Sequence, residues 1–72
     1  MPDFPVPPKF NALWVGLSPT EKVALAAKAG AAKVYLTHVA FGHSRPSPAL
    51  ARRIGDALGS DYAKELRPDV FG

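Results

Sequence analysis

Between Ala26 and Val39, four positions leave the chain few choices. Ala26 carries only a methyl, so a following helix can approach it closely. Gly30 can take the left-handed conformation that ends one helix and turns the chain. Leu36 and Val39, three apart on the next helix, face inward together and fill the crook between the two. A small residue, a turn glycine and two apolar plugs at this spacing predict two short helices locked at a steep angle. That arrangement is a helix-turn-helix, and its second helix stands proud of the body. A helix presented in that way fits the major groove of DNA.

The rest of the chain is punctuated just as clearly. Met1 to Pro8 is too rich in proline to begin a helix and is expected to form an extended arm. Phe10, Leu13, Trp14 and Leu17 recur at helical spacing and predict a first amphipathic helix over 9–16, with Trp14 the largest core residue. Ser18-Pro19-Thr20-Glu21 reads as a helix start: serine as N-cap, proline in the first turn, glutamate closing a capping box. The second helix then runs to Ala29. A third occupies about 32–41 and stops at Gly42, with no capping oxygen at Ala31 or Ala32. His43 to Pro46 form a turn. Ser47-Pro48 starts a fourth helix whose Leu50, Ile54 and Leu58 make one stripe, with Arg52, Arg53 and Asp56 turned to solvent. Gly59 ends it, and Ser60-Asp61 caps a last turn through Leu66. Pro68 stops that turn and leaves residues 69–72 as a tail. The fold expected is all-α, a compact bundle of four to five helices in a single domain over 9–72, with the form of the tail, helix, strand or extended coil, left open.

At 72 residues, the chain buries only ~60% of the surface its unfolded form exposes, so its stability margin is thin. The absence of cysteine removes disulfides and thiolate metal sites. No apolar run is long enough to span a bilayer. The first ten residues, with Asp3 and four prolines, resemble no signal peptide, so the cytoplasm is the expected location. The net charge of +3 is unevenly spread. From Lys22 to Gly55 there are six basic residues and no acidic one; the remainder has three basic against six acidic. Positive charge therefore gathers on the segment that carries the helix-turn-helix spacing, as a phosphate-facing surface requires. Chemistry finds less support. His38 and His43 are five residues apart across a glycine, a poor metal pair without cysteine or a nearby acid. No spacing sets a nucleophile beside a base. An enzyme is not expected, nor a metal, a cofactor, a small-molecule substrate or a membrane partner.

From Leu17 to Gly59 the chain resembles the lambda-repressor-like helix-turn-helix domains of phage Cro and CI proteins. The residues that carry the likeness are Leu25-Ala26, Gly30, Tyr35-Leu36-Thr37, Gly42, Arg45-Pro46-Ser47-Pro48 and the Leu50, Ile54, Leu58 stripe. The closing Glu65-Leu66-Arg67-Pro68-Asp69-Val70-Phe71 is similar to the tail of a subgroup of small Cro proteins from phages and prophages. The resemblance implies a five-helix fold, or a variant with a strand-forming tail. It also implies binding as a dimer to a pseudo-palindromic operator and repression of transcription. It departs from the usual pattern at Ala32, where a hydroxyl residue is common, and at Lys22 and His38, where glutamine is common.

On a third helix with Leu36 and Val39 inward, Lys33, Val34, Thr37 and His38 point outward, and by resemblance these reach base edges. Lysine can donate to guanine O6 and N7, valine can touch a thymine methyl, and histidine can donate to guanine N7. Lys22, Lys28, Ser44 and Arg45 are the expected phosphate contacts, the lysines on the second helix and the others just after the third. Tyr35 either closes the edge of the core or offers its hydroxyl to a phosphate. Phe41, beside Gly42, is expected to close the core. Leu66, Val70 and Phe71 are expected to contribute to a weak homodimer. The leading expectation is a DNA-binding repressor of phage or prophage type. Its rivals are a host regulator or antitoxin of the same fold, and a protein-interaction module in which the helix-turn-helix spacing serves packing alone.

Overall fold

Two helices start on a serine cap of their own and three start with no side-chain cap, Gly59 and not Ser60 standing at the N-cap of the fifth. The exception, at the start of the chain, borrows its cap from a distant residue. A computed structural model describes residues 4–72, so residues 1–3 of the expected arm lie outside the described residues. The helices are α1 (Pro8–Gly16), α2 (Pro19–Ala29), α3 (Lys33–Ala40), α4 (Pro48–Leu58), α5 (Ser60–Leu66) and α6 (Pro68–Phe71). The two Ser-Pro starts behave alike. Ser18 Oγ accepts from the Glu21 N–H at 3.2 Å while the Glu21 carboxylate accepts from the Ser18 N–H at 3.0 Å, a complete capping box. Ser47 Oγ accepts from the Leu50 N–H at 3.1 Å. Gly30 sits at φ 66°, ψ 32°, with its own N–H on Ala27 O and the Ala31 N–H on Ala26 O. This closure absorbs two orphan carbonyls of α2 and redirects the chain into α3. As the sequence implies, α3 starts at Ala32 with no side-chain cap.

The exception is α1. Pro7 stands at its N-cap and has no side chain able to accept a hydrogen bond. The Glu65 carboxylate, from α5, takes the duty: its two oxygens accept from Lys9 N–H at 2.9 Å and Phe10 N–H at 2.8 Å. An anion at this end also meets the positive pole of the helix dipole.

In the tail, Pro68 and the residues after it form a last helical turn, α6, and Phe71 packs against the core. Proline at its first position suits a helix start because the missing N–H would be unpaired there anyway. The core itself holds Phe10, Trp14, Leu25, Leu36, Val39, Leu50 and Ile54, spaced by Ala26, Ala29, Ala40 and Ala51. The alanines keep the helices close. So does Gly55, where a Cβ would come within 2.7 Å of the Ala63 Cβ and force α4 and α5 apart. Among the described residues, no helix is long and apolar enough to cross a membrane.

Two substitutions test this construction. In Gly30→Val the cost is conformational, about 1–2 kcal/mol for a side chain in the left-handed region, and the nearest group to an added Cβ is only the flexible Arg53 guanidinium at 3.4 Å. Thermal unfolding should move down by about 4–8 °C for each kcal/mol lost in a domain this small. In Glu65→Ala, α1 loses its only capping side chain at a cost of about 0.5–2 kcal/mol. Circular dichroism melts resolve both, and an unchanged melting temperature for either would refute the corresponding contact.

Candidate nucleic-acid interface

Leu36, Val39 and Ala40 bury one side of α3, which leaves the opposite side to solvent. Helix geometry places Val34, His38 and Phe41 along the centre of that outer side, four and seven residues apart, with Lys33 at its edge. All four are exposed, Val34 at 65% and Phe41 at 40%. Phe41 therefore does not close the core, contrary to the expectation from its place beside Gly42. Its spacing of seven from Val34 was the available signal. At the end of α3, Gly42 turns with φ 77° and the His43 and Ser44 N–H groups both donate to His38 O, at 2.8 and 3.3 Å. The same turn sets the His43 ring edge-on to His38 with centroids 6.2 Å apart.

Thr37 is placed differently from the other outward candidates. It is half-buried against α1, accepts from Trp14 Nε1–H at 3.2 Å and donates to Lys33 O at 3.1 Å. Its hydroxyl is engaged by these two bonds, which sets it apart from Lys33, Val34 and His38. Asn11 on α1 donates to Ala40 O at 2.9 Å, so α1 grips α3 at two points. Lys22 lays its ammonium over the Trp14 ring, 5.6 Å from the centroid, a cation–π contact that holds this charge at the α1–α2–α3 junction.

Tyr35 resolves toward structure. Its hydroxyl donates to Arg45 O at 3.1 Å and its ring packs against the core. Ser44 and Arg45 border a groove of about 340 Å³ between the arm, the 44–46 loop and the ends of α5 and α6. Arg45 is not a free cation: its guanidinium lies 3.1 Å from Asp69 Oδ1. Arg67 grips the same carboxylate with two hydrogen bonds, at 3.0 and 2.8 Å, and donates a third to Pro46 O. Lys28 is exposed elsewhere, bordering a cleft with Arg53, Asp56 and Ala57 of α4. The structure thus brings Lys22, Lys33, Val34 and His38 to the neighbourhood of α3, whereas Lys28 belongs to the α2–α4 cleft.

The expected dimer residues also separate. Leu66 is buried within the monomer core, Phe71 is partly buried against it, and Val70 alone of the three is exposed. No group of three or more metal-ligating side chains gathers among the described residues. The chain matches no protein-family model, and no curated protein or solved structure matches it.

The Arg67 hydrogen bonds hold the Asp69 carboxyl down to about 2, assisted by the charges of Arg67 and Arg45, and they raise the Arg67 guanidinium in turn. At the other end of the protein, the Ser18 N–H lowers Glu21. A carboxyl depressed in the folded state stabilises above its unfolded value, and the contribution fades as pH falls through the folded one. Attachment of α6 should therefore be complete above the ordinary carboxyl value of 3.8 and loosen as pH drops toward 2. Carboxyl-carbon NMR should give Asp69 a midpoint near 2 in the intact protein, and Arg67→Ala should return it to the ordinary range. A midpoint near 3.8 without the substitution would mean that the arginine clasp does not form in solution.

Proposed function

We propose that the protein is a sequence-specific DNA-binding repressor, of the phage or prophage Cro type that its sequence resembles, which lays α3 in the major groove of a pseudo-palindromic operator. The observation that carries this reading is the outer side of α3. Lys33, Val34 and His38 stand exposed there on a helix whose inner side is fixed by Leu36, Val39 and Ala40. Lys33 on this helix and Lys22 over the Trp14 ring that bonds to it leave basic charge beside that face, which suits a polyanion. Lys33 and His38 offer donors to guanine acceptors, and Val34 offers methyls to thymine. Lys22 supplies a phosphate contact from the start of α2, and Arg45 supplies another when it turns from Asp69. The protein acts in the cytoplasm as a weak homodimer with Val70 at its contact. The two-fold pair sets the recognition helices one DNA turn apart, about 34 Å. No cofactor takes part.

Titration of a fluorescent duplex at several salt concentrations tests the reading. Affinity should fall steeply with salt, each neutralised phosphate contributing about −0.9 to the slope of log K against log salt. Lys33→Ala and His38→Ala should each weaken a selected site by about 1–3 kcal/mol and random DNA far less. Arg45→Ala should weaken both alike. Binding that ignores salt, or is absent at low salt, would overturn the proposal. Equal losses on selected and random DNA for all three variants would overturn the choice of base readers.

A further inference from the structure

We propose that α3 recognises its site chiefly through the 5-methyl groups of thymine, and that Phe41 is a specificity-determining residue alongside Val34. This inference rests on the DNA reading above and names what that surface reads.

The side chains that read bases through paired hydrogen bonds are arginine, lysine, asparagine and glutamine. From Lys33 to Phe41 only Lys33, at the edge of the face, is one of them. Thr37, which could contribute a single polar contact, has both hydrogen-bonding functions of its hydroxyl engaged by Trp14 and Lys33 O. Polar readout is thereby reduced to Lys33 at the edge and His38 at the centre. Val34 and Phe41 lie on either side of His38 and are both well exposed. An exposed apolar pair on the outer side of this helix calls for an apolar partner. Lys33 on the same helix and Lys22 beside its base call for an anionic one, and no acidic residue lies between Lys22 and Gly55 to oppose it. A second copy of the same face would bring like charges together. Duplex DNA meets both demands, because its major groove is walled by phosphates and its apolar knobs are thymine methyls.

The test begins with selection of bound sequences from a random duplex pool. Thymidine in the enriched sites is then replaced, one position at a time, by deoxyuridine, which removes a methyl and leaves every hydrogen-bonding group in place. Thymine should be enriched, and loss of each contacted methyl should weaken binding about fourfold, the factor that burying one such carbon supplies. Val34→Ala and Phe41→Ala should each erase the thymidine–deoxyuridine difference at one position and keep their helical spectrum, since both side chains are exposed. Lys33→Ala should bind more weakly overall yet retain the difference. Equal binding of thymidine and deoxyuridine sites throughout would overturn the inference while leaving the DNA reading intact. Full methyl sensitivity in Phe41→Ala would remove Phe41 from the readout. Dissociation of the homodimer in the alanine variants, with methyl sensitivity unchanged, would make the stripe a protein contact and overturn it as well. A pool that shows no salt-dependent binding at all would defeat the DNA reading itself, and this inference with it.

Discussion

Burying Trp14 to 1% exposure leaves its indole N–H in need of an acceptor, and the only way the fold meets that need is to bring Thr37 to it at 3.2 Å. Much of the remaining architecture follows from this bond. An eight-residue helix without a side-chain cap is marginal alone, so α3 depends on its neighbours for both existence and direction. Phe10 stacks on Trp14 with ring centroids 6.0 Å apart, an arrangement worth about 0.5–1.5 kcal/mol beyond burial. Asn11 then holds the far end of α3 through Ala40 O. The helix-turn spacing from Ala26 to Val39 brings α3 close to α2, whereas α1 fixes its rotation and so decides which side chains face outward.

Charge behaves differently in the fold than along the chain. Arg45 appears in the sequence as one more cation in an acid-free segment, but the fold brings Asp69 to it from the last turn. Arg67 clasps the same carboxylate and the Pro46 carbonyl, so two arginines and one aspartate become a fastening for α6. The surface left around α3 is correspondingly simpler: two lysines, the His38–His43 pair and two apolar side chains. Lys22 is oriented by an aromatic ring, and its position is therefore better defined than that of an ordinary surface lysine.

Helix limits were legible because they are written locally. Ser18, Pro19 and Glu21, the Ser47-Pro48 pair, Gly30 and Gly42 each act within a few residues, and periodicity identified Trp14, Leu36, Val39, Leu50 and Ile54 as core. What escaped sequence reading depends on distant partners. Glu65 acts on an N-terminus 56 positions away, and Arg67 reaches Pro46 across 21. Nothing local announces either. Thr37 lies at an outward-pointing spacing, yet a tryptophan on another helix claims its hydroxyl. Phe41 was judged by its hydrophobicity, although its place on α3 exposes it. The form of the tail is open in the sequence because Pro68 both ends α5 and suits the first position of a new helix, α6. Of the outer face, Lys33, Val34 and His38 are visible from spacing alone, and Phe41 is signalled only by its spacing of seven from Val34.

The cap supplied by Glu65 has a consequence for how the chain assembles. On a ribosome α1 emerges first and finds neither a serine nor an aspartate to start it; its acceptor is made more than fifty residues later. Until α5 arrives, α1 has no anchored first turn, and while α1 is loose Trp14 cannot hold α3. The outward face of α3 thus depends on helices remote from it in sequence, although its own residues lie in the middle of the chain. Truncated or partly synthesised copies would carry the residues of that face without its geometry. Loop closure over such a span is slow relative to local helix formation, and it ties the first turn of the protein to its fifth helix in one cooperative step.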